Sequence, residues 1–218
     1  AEKKVIWKLT RTQPELQVGI MSGKEIEFEI IADGAGRQRV SFENGRLSYN
    51  GTLYDELLFD ARTMSTMFAE PTFILYGVTI GVDFHWERKL TGKFAGSLKF
   101  IVEGDNVVAV NVIGIEDYLL SVISSEMKPT APLEYLKAHA VISRTWVMKQ
   151  IARRKDGGNV VQCPEDRLED GILHIERWFD TNDHKAFDVC ADDHCQRYQG
   201  LTSAVGENAR KAVDETWG

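Results

Sequence analysis

No run of about eighteen apolar residues occurs anywhere in the 218-residue sequence, so none of it is expected to cross a bilayer as a helix. The opening Ala1-Glu2-Lys3-Lys4 is too polar for a secretory leader, which makes a mature or trimmed terminus the expectation. Basic residues are outnumbered, 26 Lys and Arg against 33 Asp and Glu, for a formal net charge of -7. A nucleic-acid binder draws its affinity from a basic face, so that class is excluded and a neutral or uncharged polymer is the easier partner. Cysteine is scarce as well. Cys163, Cys190 and Cys195 make an odd set, which does not suit a pure disulfide framework.

The hydrophobic fraction of 43% is enough for a real core, in one large domain or two small ones. From Pro14 to about Thr91 the pattern has the period of strands. Leu16, Val18 and Ile20 alternate with other residues, then Ile26, Phe28 and Ile30, then Val40 and Phe42. Asp33-Gly34, Asn44-Gly45 and Asn50-Gly51 are turn signals between these runs, and the whole half reads as a small β-rich layer. Strand character resumes at Phe73-Ile74-Leu75-Tyr76, Val78-Thr79-Ile80 and Val82 to Trp86, with His85 assigned to packing or surface. Leu98, Phe100 and Val102 then face Val107 to Val112 across a turn at Glu103-Gly104-Asp105-Asn106.

The chain is organised around Val110 to Gln150. On a first helix Ile115, Tyr118, Leu119, Val122 and Ile123 follow the i, i+3, i+4, i+7 rule, and the next member of that series is Glu126. A carboxylate is thereby delivered to the buried face. Lys128 precedes Pro129 and is pushed away from helical angles, so the helix is expected to end at or just after Glu126 and to leave the carboxyl at a rim beside apolar surface. Partial desolvation there is expected to raise its pKa and suit it to general-acid work. Glu116 and Asp117 are expected to favour the positive end of their own helix.

A second helix is capped in this reading by Thr130 and buries Leu133, Leu136, Ala140, Val147 and Ile151, with small Ala138 and Ala140 allowing close approach. Arg144 could pair with a carboxylate, but a solvated or purely structural role is the expectation. The fold class is α+β: a β-rich N-terminal part packed with two helices. Residues 152–182 are charged and turn-rich, read as a surface insertion that holds Cys163 as a free or structural thiol. Further on, His184, Cys190 and Cys195 form a His-x5-Cys-x4-Cys set. Thiolate and imidazole are ligands zinc prefers, but in an oxidising compartment Cys190 and Cys195 could equally bridge, and spacing alone leaves both open.

Three blocks in order, Glu116-Asp117-Tyr118-Leu119, then Ser125-Glu126-Met127 with Pro129, then Lys137-Ala138-His139-Ala140-Val141-Ile142-Ser143-Arg144-Thr145-Trp146, resemble the stage II sporulation protein D / LytB family. Phe94 and Gly96 are similar to that family's Y-R-G, and Cys195-Gln196-Arg197-Tyr198-Gln199-Gly200 to its C-Q-x-Y-x-G. The resemblance covers residues 14–218, with 1–13 as an N-terminal extension, and implies a further C-terminal segment beyond Ala212-Val213-Asp214-Glu215-Thr216-Trp217-Gly218. It implies a peptidoglycan lytic transglycosylase with Glu126 as catalytic acid, or a glycan-binding protein that enhances an amidase. Peptidoglycan glycan strands are then the partner, and an extracytoplasmic place in the cell envelope the location. The resemblance also assigns a structural zinc to His184, Cys190 and Cys195, with His194 as the alternative imidazole, clipping a loop near the active site. His139 stands where the family usually has Gln, and receives no catalytic task.

Overall fold

The computed structural model describes residues 13–60, 70–82, 84–128, 130–155, 167–174, 184–202 and 205–217. Ten strands come first: β1 (Glu15–Gly23), β2 (Glu25–Ile30), β3 (Arg37–Glu43), β4 (Arg46–Tyr49), β5 (Thr52–Tyr54), β6 (Leu57–Phe59), β7 (Phe73–Ile80), β8 (Arg88–Phe94), β9 (Ser97–Glu103) and β10 (Asn106–Gly114). Helices α1 (Ile115–Glu126) and α2 (Leu133–Lys155) follow, then short strands β11 (Arg167–Glu169), β12 (Ile172–His174) and β13 (Val189–Cys190), and helix α3 (Glu207–Glu215). The α+β class and the β-rich N-terminal part are as the sequence pattern implied. Among the described residues no helix is long and apolar enough to cross a membrane.

The strands do not form one layer. They build a five-stranded sheet in the order β13-β1-β10-β9-β6 and a six-stranded sheet in the order β5-β4-β3-β2-β7-β8, while β11 and β12 pair by themselves. The chain changes sheets at Lys24, between β1 and β2, and at Ala95-Gly96, between β8 and β9; in between, β6 joins the five-stranded sheet although β5 and β7 belong to the six-stranded one. Alternation fixes which side chains point inward but not which strand lies alongside, so β1 could not be seen to pair with β10, about ninety positions later. Leu16, Val18, Ile26, Phe28, Phe73, Phe94, Leu98 and Phe100 from the two sheets enter one buried cluster with Tyr118, Leu119, Val122, Leu136 and Ala140 of the helices. Phe28, Phe59 and Phe100 stack at tilted or edge-on angles with ring centroids 4.9–6.2 Å apart.

The two Asn-Gly pairs form the tight turns expected of them, β3 to β4 and β4 to β5, with positive φ at both residues: 50° and 80° at Asn44-Gly45, 51° and 76° at Asn50-Gly51. Val82 to Trp86 differs from expectation. Ile80 pairs with Arg88, which leaves Gly81 to Glu87 as the connection between β7 and β8, closed by Phe84 N–H on the Gly81 carbonyl (3.0 Å) and Glu87 N–H on that of Phe84 (2.9 Å). His85 is exposed on this connection rather than set in a strand.

Helix α1 starts directly where β10 ends, with no intervening loop. Its orphan N–H groups are met from the start of the sheet: Ile115 N–H bonds the Pro14 carbonyl (3.1 Å) and Glu116 N–H the Gln13 side-chain oxygen (2.6 Å). At the other end Met127 is already extended, so the helix stops at Glu126 as the residue before Pro129 led one to expect. Thr130 is not the cap of α2, because the helical hydrogen bonds begin with Leu136 N–H on the Pro132 carbonyl (3.1 Å) and Pro132 takes the cap position. The buried face of α2 is Leu136, Ala140, Ser143, Val147 and Ile151; Ala138 is exposed, on the opposite side of the helix from the packed face. The helix continues to Lys155, into the stretch read as an insertion, and Cys163 lies outside the described residues.

Candidate active site and metal cluster

The apolar stripe of α1 is buried throughout, and Glu126 completes it at the last helical position with a quarter of its side chain exposed. The rim around it is more polar than an apolar stripe implies. One carboxylate oxygen, Oε2, lies 2.9 Å from His139 Nε2, and the other, Oε1, accepts the main-chain N–H of Arg197 at 3.0 Å. His139 projects from α2, one turn beyond the buried Leu136, and is itself only 14% exposed. Its Nδ1 is buried with no hydrogen-bond partner among the described residues.

Neither partner was assigned a role from sequence. His139 shares the helical face of Leu136 and Ser143, so the periodicity of α2 is the signal that directs it toward Glu126. Arg197 acts here through its backbone, which side-chain identity cannot announce.

Glu116 lies in the first turn of α1, at the positive helix end as expected, and Arg144 is the structural partner that closes on it. Glu116 is 5% exposed and receives two parallel bonds from the Arg144 guanidinium, at 2.8 and 2.6 Å. The planar fork matches the carboxylate, and the same guanidinium reaches Thr216 Oγ1 at the end of α3 (3.4 Å). Glu116 is therefore, besides a carboxylate at a helix start, a buried tie among three helices. Asp117 in the same turn accepts from the Gln13 side-chain amide (3.2 Å).

The segment that reaches Glu126 comes straight out of a His/Cys cluster. His184, Cys190, His194 and Cys195 each bring a ligand atom to within 4.8 Å of every other. Cys195 Sγ lies 3.4 Å from both His184 Nε2 and His194 Nδ1, and Cys190 Sγ lies 3.8 Å from His194 Nδ1. Tetrahedral zinc, with bonds of about 2.3 Å to sulfur and 2.0–2.1 Å to nitrogen, spaces neighbouring donors about 3.3–3.8 Å apart. The donor set and its spacing thus fit that ion, and no disulfide joins Cys190 to Cys195. The Cys190 thiol is pushed down to about 3, first by its hydrogen bond with Cys195 and then by those with His184, the Asp192 backbone and His194, against the opposing effect of burial.

The cluster is tied to the sheet on one side and to α1 on the other. β13 lies parallel to β1, Val189 beside Val18 and Cys190 beside Gly19. Residues 196–199 then run along α1. Tyr118 hydroxyl donates to Gln196 Oε1 (3.1 Å), Arg197 N–H reaches Glu126, and Gln199 N–H bonds Ser121 Oγ (3.1 Å). Tyr198 is buried between them, its ring stacked on Tyr118 at 5.0 Å and its hydroxyl bonded to Asn111 Oδ1 at 2.6 Å. Burial raises the pKa of both phenols, so each stays a neutral donor.

A profile of the SpoIID family, described as stage II sporulation protein, matches residues 103–218, which carry α1, α2, the His/Cys cluster and α3. The chain belongs to the SpoIID family. SpoIID membership points to a cell-wall-related function and is compatible with a lytic enzyme. An uncharacterized protein of Brachyspira hyodysenteriae (strain ATCC 49526 / WA1) is 44% identical to this SpoIID chain over 61 residues, a match that spans 28% of the chain and 17% of that relative. No solved structure matches the chain.

Proposed function

We propose that this SpoIID protein is a peptidoglycan lytic transglycosylase in which Glu126 is both general acid and general base. The observation that carries the reading is the seat of Glu126: a part-exposed carboxyl at the end of a buried helix, with both oxygens hydrogen-bonded to groups of two other segments. Protonated Glu126 gives its proton to the oxygen joining the muramyl and glucosaminyl residues. The bond from that oxygen to muramyl C1 breaks, and an oxocarbenium-like centre develops at C1. The carboxylate then takes the proton of the muramyl C6 hydroxyl while that oxygen closes on C1, forming a 1,6-anhydro end and regenerating the acid. No water is consumed. A hydrolytic glycosidase positions two carboxyls about 5–10 Å apart, whereas the groups hydrogen-bonded to Glu126 are an imidazole and an amide.

Because a main-chain N–H can only donate, Oε1 remains an acceptor through the cycle. The travelling proton therefore uses Oε2, beside His139, and His139 is the positioning residue for it. Zinc, when held by His184, Cys190 and Cys195 with His194 as fourth ligand, supplies a closed structural clip that fixes residues 196–199 against α1. The reading includes a single domain over residues 14–218, supported by the core shared by both sheets and all three helices, and an extracytoplasmic location in the envelope.

The test is Glu126→Gln, which keeps shape and hydrogen bonding but cannot carry the proton. Release of anhydro-muropeptides from glycan strands should fall at least about 10²-fold with the fold unchanged by circular dichroism. Equal release by the variant and the parent would remove Glu126 from the mechanism. New reducing ends in place of anhydro ends would make the protein a hydrolase. No new ends, with faster cleavage by an added amidase, would make it a non-catalytic enhancer.

A further inference from the structure

The connection between β7 and β8 carries an aromatic pair that the reading above does not use. Phe84 and Trp86 stack with centroids 5.5 Å apart and planes 20° from parallel, yet Phe84 keeps 49% of its surface in water and its neighbour Val82 41%. Large apolar side chains grouped and exposed on a turn mark a contact surface more often than a defect of folding. The platform is also stiff. The Trp86 ring lies so close over Gly81 that an added Cβ would sit 2.3 Å from it, and Gly81, at a φ of 66°, is one of the few residues that suits that place.

One residue joins this platform to the catalytic carboxyl. The Arg197 guanidinium sits 5.0 Å over the Trp86 ring, held by Asp193 at 2.9 and 3.1 Å, while the N–H of the same Arg197 bonds Glu126. Trp86 and Glu126 thus contact the two ends of one arginine, its guanidinium and its backbone N–H. A groove between the β7–β8 connection and the loop of the His/Cys cluster is lined by Gly81, Val82, Asp192, Asp193, Arg197 and Gln199; the aromatic pair stands outside this lining and borders it where Trp86 meets the Arg197 guanidinium. Flat aromatic surface beside a row of hydrogen-bonding side chains suits a pyranose, which has C–H faces and a hydroxyl edge, better than the wholly apolar stripe of a protein helix.

We propose that Phe84, backed by Trp86, is a sugar-stacking subsite that holds one pyranose ring of the glycan strand a short way along from the bond at Glu126. The subsite rests on the glycan reading of Glu126, though not on its chemistry. It belongs to the β7–β8 connection, N-terminal to the residues that the SpoIID profile matches.

Binding of soluble strands of alternating N-acetylmuramic acid and N-acetylglucosamine is measured by calorimetry in the Glu126→Gln background, so that cleavage does not intrude. Phe84→Ala should weaken binding about 10-fold, and Phe84→Trp should restore it. Phe84 is chosen because it is exposed; Trp86→Ala is read only if its circular dichroism matches the parent. With Glu126 intact, Phe84→Ala should raise KM and leave kcat in place. Unchanged affinity and KM in Phe84→Ala would overturn the subsite, as would a parent that binds no strands. Loss of binding to an amidase with strand binding retained would overturn it too, making the platform a protein-docking surface. A parent that binds strands through Phe84 but releases no anhydro ends would uphold the subsite and sink the transglycosylase reading alone.

Discussion

At the scale of single residues, the transglycosylase reading asks one carboxyl to act twice. In it Glu126 gives a proton and then takes one, and between those steps its Oε2 needs a donor that stays in place. His139 of α2, with Nε2 at 2.9 Å, is that donor in the tautomer that carries its proton on Nε2. A glutamine amide can give a comparable single hydrogen bond, so His139→Gln should keep activity within about tenfold, whereas His139→Leu should lower kcat about 10²-fold with KM little changed. A merely structural His139 would behave differently: His139→Leu would then lose stability to urea and keep its kcat once folded. Measuring both quantities on both variants separates the two roles.

At the scale of elements, the three helices are tied together at one point. Arg144 of α2 grips Glu116 of α1 with two bonds and touches Thr216 at the end of α3, and both members of the pair are largely buried. Removing one member leaves the other charged and unpaired in a poor solvent for charge, at a cost of about 3–5 kcal/mol, while removing both together can be nearly neutral. Glu116→Leu and Arg144→Leu should each lower the urea midpoint strongly, and the double variant should recover much of the loss. Losses that simply add would mean that the pair contributes nothing as a pair. A Glu116→Gln variant is for the same reason a poor control for Glu126→Gln, since its effect on the packing of α1 would be mistaken for one on chemistry.

At the scale of the whole molecule, the His/Cys cluster is where sheet, loop and α1 meet. Cys190 is paired to β1, and the residue after Cys195 already touches Tyr118 of α1, with Arg197 reaching Glu126 one position later. A metal that closes the cluster should therefore be felt at the carboxyl. The purified protein should hold about one zinc per chain by elemental analysis, and its removal with a strong chelator, or the Cys195→Ser substitution, should lower both the melting temperature and the release of anhydro ends. Zinc added back should restore the chelated parent but not the variant. A chelated protein with unchanged melting temperature and turnover would rule out the clip.

The sequence by itself determined what depends on local pattern. Period-two runs and Asn-Gly pairs set the hairpins; the stripe from Ile115 to Ile123 placed Glu126 at a helix end, and Pro129 fixed where that helix stops. The compact His184, Cys190, Cys195 set was visible because its members are near neighbours in the chain. What only the tertiary structure decided depends on contacts between distant segments. That β1 joins β10, that Arg144 closes on Glu116, and that His139 and the backbone of Arg197 meet Glu126 are outcomes of packing two sheets and three helices around one core. No local period specifies them, because each is fixed by which buried faces fit together after the elements have formed.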